Sequence, residues 1–138
     1  AEGAGAAGGL GFAFLSYLNA TLTPGIDLIL NAVELEKELE DTDITVTGEG
    51  RLDHQTAMGK APVGIARRAK AHGCKVFVLA GSVEPEGAHT LQKDKPLVDG
   101  VFSILPGVLS LEDAMCEEIA YENMRFTAEQ VFRIVAGR

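Results

Sequence analysis

One short segment of the chain concentrates side chains that bind anions and metal ions. It reads TGEGRLD from Thr47 to Asp53, and Lys60 follows after a few polar residues. The segment supplies one base, Arg51, and two acids, Glu49 and Asp53. Lys60 directly precedes a predicted helix, whose N-terminus already favours negative charge through its free amides and dipole. Lys60 is therefore a candidate phosphate ligand.

The charge around this segment differs from that of the whole chain. Residues 44–83 carry six Lys and Arg against two acids, a local charge of +4 in a chain of net charge −8. Three of these bases, Arg67, Arg68 and Lys70, are interpreted as the solvated face of a helix. Arg51 and Lys60 are interpreted as functional.

From residue 43 onward the pattern predicts alternating strands and helices. Strands are expected at 44–47, 75–80 and 101–105, the first stopping at Gly48. Helices are expected at 61–72, with Pro62 in its first turn and Gly73 past its end, at 111–123 after the cap Ser110, and from 127 to Gly137. Only a short connector is expected between the second and third strands. Because strand–helix–strand connections are right-handed, this order predicts a three-layer α/β fold with a parallel sheet.

Ligands of open α/β sheets bind beyond the carboxyl ends of the strands. Each of the three predicted strands has glycine at or near its exit, which permits positive φ and lets backbone amides approach an anion. We therefore predict an anion or nucleotide cleft at this edge. Its candidate residues in the first two exits are Gly48, Gly50, Gly81 and Ser82.

The first 42 residues have a different sequence pattern, with no predicted strand. A glycine-rich segment, AEGAGAAGG, leads into an apolar stretch that predicts a buried helix over 10–19, and a second helix with an acidic face is expected over 26–40. Gly3-Ala4-Gly5-Ala6-Ala7-Gly8 matches the letters of a dinucleotide fingerprint. That motif requires a preceding strand, which the chain lacks, so we favour a generic glycine loop at a helix N-terminus.

Composition excludes several classes of protein. The net charge of −8 argues against general binding of nucleic acid or anionic membranes. Two distant cysteines, Cys74 and Cys116, indicate reduced thiols in a cytoplasmic protein, and no apolar run reaches the roughly 20 residues of a membrane span. The chain begins with Ala inside a glycine-rich segment, so we expect it to be a fragment of a longer protein.

With these residues in view, the chain resembles the C-terminal portion of the bacterial glycerate kinase family. The resemblance covers nearly the whole chain and is carried by GAGAAGGLGFAF, TPGIDLIL, TGEGRLDHQTAMGKAP, VLAGS and FSILPG followed by SLEDA, in that order. It implies that residues 43–138 form a Rossmann- or flavodoxin-like domain. Residues 1–42 would be the helical end of a second α/β domain.

The resemblance also implies a function and roles for the candidate residues. A kinase of this family transfers the γ-phosphate of ATP, with Mg²⁺, to a hydroxyl of glycerate. Asp53 would be the base or a Mg²⁺ ligand, Glu49 a second metal carboxylate, Lys60 the ligand of the transferred phosphate and Arg51 the ligand of the glycerate carboxylate. Backbone amides of the glycine-rich segment would contact substrate or phosphate, at Gly3, Gly5, Gly8 and Gly9.

Two alternatives stay open at this point. The chain could be a non-catalytic flavodoxin-like module that binds a ligand or regulates a partner, although Thr47-Gly48 lacks the acid that a phosphoacceptor receiver needs at its first strand end. A homo-oligomer is a further hypothesis, in which Leu10, Phe14 and Leu18 pack against a second copy.

Overall fold

A parallel sheet of three strands organises most of the chain. The computed structural model describes residues 3–56 and 60–137. Its strands are β1 (Ile44–Leu52), β2 (Lys75–Val83) and β3 (Gly100–Ser103), in the spatial order β1-β2-β3. Both pairings are parallel, with Thr45 beside Val76 and Phe77 beside Gly100. The predicted α/β fold with a parallel sheet is therefore confirmed.

The central strand β2 faces a hydrophobic core on each side. Val76, Val78 and Ala80 belong to one core, which includes residues of α4 (Ala61–Ala71) and α5 (Pro85–Gln92). Phe77 and Leu79 belong to the other core, which includes Val131 of α7 (Glu117–Val135). A continuous apolar strand suits this position, because both of its faces are covered. The predicted three layers are present.

The ends of two helices follow their sequence signals. α4 begins after Lys60 with Pro62 in its first turn, and Gly73 follows its C-cap with a φ of 81° that favours glycine. The short helix α6 (Leu111–Ala114) is capped by the Ser110 hydroxyl, which accepts the N–H of Asp113 at 3.0 Å.

The first two strands are longer than predicted. β1 continues through Gly48 and Gly50 to Leu52, and β2 continues through Gly81 and Ser82 to Val83. The prediction that the two strands end before these four residues is therefore wrong. The glycines instead permit close approach of the two strands: a Cβ on Gly48 would lie 2.4 Å from the Leu79 carbonyl oxygen, and one on Gly81 would lie 2.5 Å from that of Gly50.

Four predictions about helices also need correction. The connector between β2 and β3 contains α5, which the sequence analysis missed. The helices expected at 111–123 and from 127 are instead the short α6 and one continuous α7, because no breaker interrupts residues 117–135. The helix expected over 26–40 is divided into α2 (Gly25–Ala32) and α3 (Leu35–Leu39) by Glu34, whose φ is 52°.

The described residues form two compact units, one ending at Val33 and the other beginning at Glu34. The second unit includes α3, whose Leu39 lies in the same core as Val76 and Val78 of β2. The domain boundary after residue 42 stays a prediction about the whole protein.

The first unit contains α1 (Ala6–Tyr17) and α2. The expectation that its apolar helix is buried is wrong, since Leu10, Phe12 and Leu18 are exposed. A helix that is apolar all round is buried only where neighbours cover every side, and the described residues leave these three side chains uncovered. Among the described helices, none is long and apolar enough to cross a membrane.

Asp99 links the beginnings of β2 and β3. Its N–H donates to the Val76 carbonyl at 2.8 Å, and its carboxylate accepts the Val76 N–H at 2.6 Å and a hydrogen bond from Lys70. Burial raises the pKa of Asp99, but Lys70 and the Val76 N–H lower that pKa by more. The ionised form therefore stabilises the start of the sheet.

We expect Asp99→Asn to lower the free energy of unfolding at pH 7 by about 1 kcal/mol. Since the pKa is depressed in the folded protein, this stabilisation is present above the unfolded-state pKa of about 3.9 and is lost as the pH falls through the folded value. Urea unfolding at pH 7 and pH 3 measures it. The exposed Asp41→Asn is the control, and an equal deficit of the Asp99 variant at both pH values would contradict the assignment.

Candidate functional site

The turn that leaves β1 is closed by its own side chains. Oδ1 of Asp53 accepts the N–H groups of Gln55 at 2.8 Å and Thr56 at 3.2 Å. In return, the hydroxyl of Thr56 accepts the N–H of Asp53 at 3.1 Å. Thr56 is fully buried. These reciprocal bonds fix the Asp53 carboxylate relative to the end of the strand.

Lys60 lies next to this carboxylate. Its Nζ is 3.6 Å from Oδ1 of Asp53, and the two side chains are 45% and 18% exposed. Lys60 is also the N-cap residue of α4, and its carbonyl accepts the N–H of Val63 at 3.0 Å. The structure thus brings two of the predicted site residues together, at the carboxyl end of β1 and the N-terminus of a helix.

The surroundings of Asp53 favour its charged form. Burial alone raises the pKa of this carboxyl, but hydrogen bonds from the Gln55 and Thr56 N–H groups, with the charges of Lys60 and His54, lower it by more. The pKa therefore lies below the ordinary range for Asp. At neutral pH the residue is an anion held beside an ammonium group.

Arg51, the third predicted residue, has a different partner. Its exposed guanidinium pairs with the carboxylate of Glu84, the residue that precedes α5, and this pairing raises the pKa of Arg51. Arg51 lies opposite Ser82 in the sheet register. Glu84 thus meets part of the hydrogen-bonding capacity of Arg51. The assignment of Arg51 to a substrate carboxylate stays a prediction.

Glu49 has an unpartnered carboxylate oxygen. It lies in β1 opposite Ala80, and its Oε1 is buried without a hydrogen-bond partner in the part of the chain that the structure describes. Such an oxygen is costly to bury unless a proton or a cation meets it. Within residues 3–56 and 60–137, no group of three or more His, Cys, Asp or Glu side chains is arranged to hold a metal ion.

The four glycines predicted near the chain start belong to the first unit. Gly3, Gly8 and Gly9 have positive φ, so the segment needs glycine for its conformation. Gly3 also lines a cavity of about 540 Å³ together with Ala6 and residues 22–25. The roles of Gly3, Gly5, Gly8 and Gly9 stay predictions, as do those of Gly48, Gly50, Gly81 and Ser82 in the strands.

Two residues that hold the site, Thr56 and Glu84, were not predicted from the sequence. The sequence does contain a signal for Thr56, since it lies three residues after Asp53. At this spacing the side chain of each residue can accept the backbone N–H of the other. Glu84 offered no local signal. Its contact with Arg51 spans 33 positions and exists only through the sheet.

Comparisons with known proteins agree on one family. The model of the "Glycerate kinase family" matches residues 1–136. The chain is 46% identical over 130 residues to a glycerate kinase from Bacillus subtilis (strain 168). The aligned residues cover 94% of this chain and 33% of that protein. It is 38% identical over 122 residues to a glycerate 2-kinase from Escherichia coli (strain K12), covering 88% of this chain and 31% of that protein.

A solved structure shows the same similarity. The crystal structure of a candidate glycerate kinase 2 from Salmonella typhimurium LT2 matches with a TM-score of 0.69 and 39% identity, over 98% of this chain and 33% of that one. The chain therefore spans about a third of the length of the relatives that it matches.

We expect Thr56→Val to destabilise the protein by about 1–3 kcal/mol, because the variant keeps the shape of the side chain but leaves the Asp53 N–H without its acceptor. Thr56→Ser, which keeps the hydroxyl, should lose much less. Urea unfolding of both variants measures the difference. Equal losses in the two variants would show that the methyl group, and not the hydrogen bond, matters at this position.

Proposed function

Since this chain belongs to the glycerate kinase family, we propose that the protein containing it transfers the γ-phosphate of ATP to a hydroxyl group of glycerate. The observation that carries this proposal is the pairing of Asp53 with Lys60, 3.6 Å apart, where β1 ends and α4 begins. Phosphoryl transfer needs positioned phosphates, neutralisation of their charge and a group that orients the attacking hydroxyl. Lys60 supplies a cation that can neutralise charge on the phosphate, and Asp53 supplies an anion that can orient the attacking hydroxyl.

Lys60 is suited to hold the transferred phosphate. Its side chain is 45% exposed, so a ligand can reach it. It lies at the N-terminus of the eleven-residue helix α4, whose dipole adds to the attraction for an anion. The charge of Lys60 and the dipole of α4 act at the same place, and together they favour the binding of phosphate oxygens there.

Asp53 is better suited to act as an anion than to accept a proton. A general base works best when its pKa is near the operating pH, and the environment of Asp53 lowers its pKa instead. Its three polar contacts described above all use Oδ1. Oδ2 takes part in none of them, and it is the oxygen that we assign to orienting the glycerate hydroxyl or to a metal ion.

The residues present fit a magnesium ion in their chemistry. Mg²⁺ usually binds proteins through one or two carboxylates and completes its shell with phosphate oxygens and water. Asp53 and Glu49 would supply these carboxylates, and the buried, unpartnered Oε1 of Glu49 is an oxygen that a cation would satisfy. When bound, the ion would supply neutralisation of charge on the phosphates.

The remaining residues are assigned to substrate binding. The side chain of Arg51 is 67% exposed at the same strand end. We assign its guanidinium to the glycerate carboxylate, with Glu84 fixing its orientation. The backbone at Gly48, Gly50, Gly81 and Ser82, and the amides of Gly3, Gly5, Gly8 and Gly9, are assigned to contacts with substrate or phosphate.

We expect Asp53→Asn and Lys60→Ala, each made in the full-length protein, to lower kcat by about 10²-fold or more, since each removes a charge aimed at the reacting groups. The measurement is ADP release coupled to a spectroscopic assay, with D-glycerate and MgATP. The wild type should release ADP only when glycerate is present.

Exposed residues of the same types provide matched controls. Asp41→Asn and Lys95→Ala change the same charges at exposed positions, and both should keep the wild-type kcat. Near-normal turnover in both site variants would overturn the site assignment. A wild type that binds ATP or glycerate but releases no ADP would instead favour the non-catalytic ligand-binding module.

A further inference from the structure

The helix α5 packs against the backbone of Asp53 at a distance that only glycine allows. A Cβ built on Gly87 would lie 2.7 Å from both the carbonyl carbon and the carbonyl oxygen of Asp53. It would also lie 2.9 Å from Cδ2 of Leu52, a fully buried side chain. Two of these three atoms belong to the backbone, so they cannot rotate out of the way.

Space, and not backbone conformation, requires glycine here. The glycines with positive φ do not include Gly87, which lies in the first turn of α5. At such a helical position alanine has a higher intrinsic propensity than glycine. The sequence therefore keeps the poorer helix former at the point where α5 touches the turn after β1.

Glu84, the residue that precedes α5, contacts the two residues that precede Asp53. The N–H of Glu84 donates to the carbonyl of Leu52 at 2.9 Å, and the Glu84 carboxylate pairs with Arg51. Contacts from the start of α5 thus reach Arg51, Leu52 and Asp53 in succession. The end of β1 is held from one side by this helix turn.

We propose that the first turn of α5 positions the site, with Gly87 as the positioning residue whose missing side chain sets the place of Asp53. The backbone of Asp53 carries the carboxylate that binds the Gln55 and Thr56 amides and lies 3.6 Å from Lys60. A shift of a few tenths of an ångström at this backbone is therefore transmitted to the carboxylate. The functional part of this inference rests on the proposed kinase activity and deepens the same site.

The test compares Gly87→Ala with Thr90→Ala, an exposed substitution in the same helix, in the full-length protein. We expect Gly87→Ala to lower kcat at least 10-fold while the KM values for ATP and glycerate change less than 3-fold. The reason is that the atoms nearest to the added methyl belong to Asp53 and Leu52, and not to Arg51 or Lys60, which are assigned to the glycerate carboxylate and the phosphate. Thr90→Ala should keep the wild-type kcat. An unchanged kcat in Gly87→Ala would overturn the proposal.

A double-mutant cycle separates positioning from general damage. If Gly87 acts through Asp53, then adding Gly87→Ala to Asp53→Asn should lower the residual kcat less than 2-fold, because the group that it positions is already gone. A further loss as large as in the wild-type background would show a merely structural role and would overturn the proposal.

A third readout does not depend on activity. Hydrogen–deuterium exchange of residues 53–56 should become faster in Gly87→Ala, while exchange in the core strand, residues 76–80, stays as in the wild type. If the wild type proves to have no kinase activity, this local change still supports the positioning of Asp53, and its absence overturns it. If Gly87→Ala does not fold, Glu84→Ala loosens the same helix turn without adding atoms, and unchanged exchange at 53–56 in that variant overturns the proposal.

Discussion

The parallel register between β1 and β2 is the constraint on which the candidate site depends. Leu52 pairs with Val83, so the residues that follow, Asp53 and Glu84, leave the sheet side by side. The N–H of Glu84 then bonds the Leu52 carbonyl, and its carboxylate reaches Arg51. A slip of one residue would turn alternate side chains to the opposite face of the sheet and separate these partners. The glycines within the strands protect this register, because larger residues at 48 or 81 would collide with the neighbouring backbone.

Asp53 combines a structural task with the proposed chemical one in a single side chain. As a structural residue it binds the amides of Gln55 and Thr56, which makes the turn after β1 rigid. The same bonds lower its pKa and keep the carboxylate charged beside Lys60. Rigidity and charge are what electrostatic stabilisation of phosphoryl transfer requires, because donors and ions that are already in place need no rearrangement during the reaction. The turn chemistry and the proposed catalysis therefore depend on the same hydrogen bonds.

The site lies in a positively charged part of an acidic chain. Several of the neighbouring bases have structural partners: Arg68 pairs with Glu36, and Lys70 pairs with Asp99. Lys60 is different, since its anionic partner is the Asp53 carboxylate that the turn holds in place and its side chain is 45% exposed. Local positive charge thus divides between bases that join α4 to its neighbours and one that faces the end of β1. Of the three bases predicted to form the solvated face of a helix, only Arg67 is exposed, because Arg68 and Lys70 are half-buried by their ion pairs. The functional role of Lys60 stays a prediction.

The amino-acid sequence alone determined the α/β class, the three strands, both ends of α4 and the segment that holds Asp53 and Lys60, because these follow from short-range patterns of apolar, β-branched, glycine and capping residues. Only the tertiary structure decided where β1 and β2 end, since a glycine at a close contact between strands has the same appearance in a sequence as a glycine in a loop. The tertiary structure also decided that Arg51 contacts Glu84 and that Asp53 contacts Gly87, both at the start of α5. These contacts join residues more than thirty positions apart, and no local pattern encodes a distance that the pairing of two strands creates.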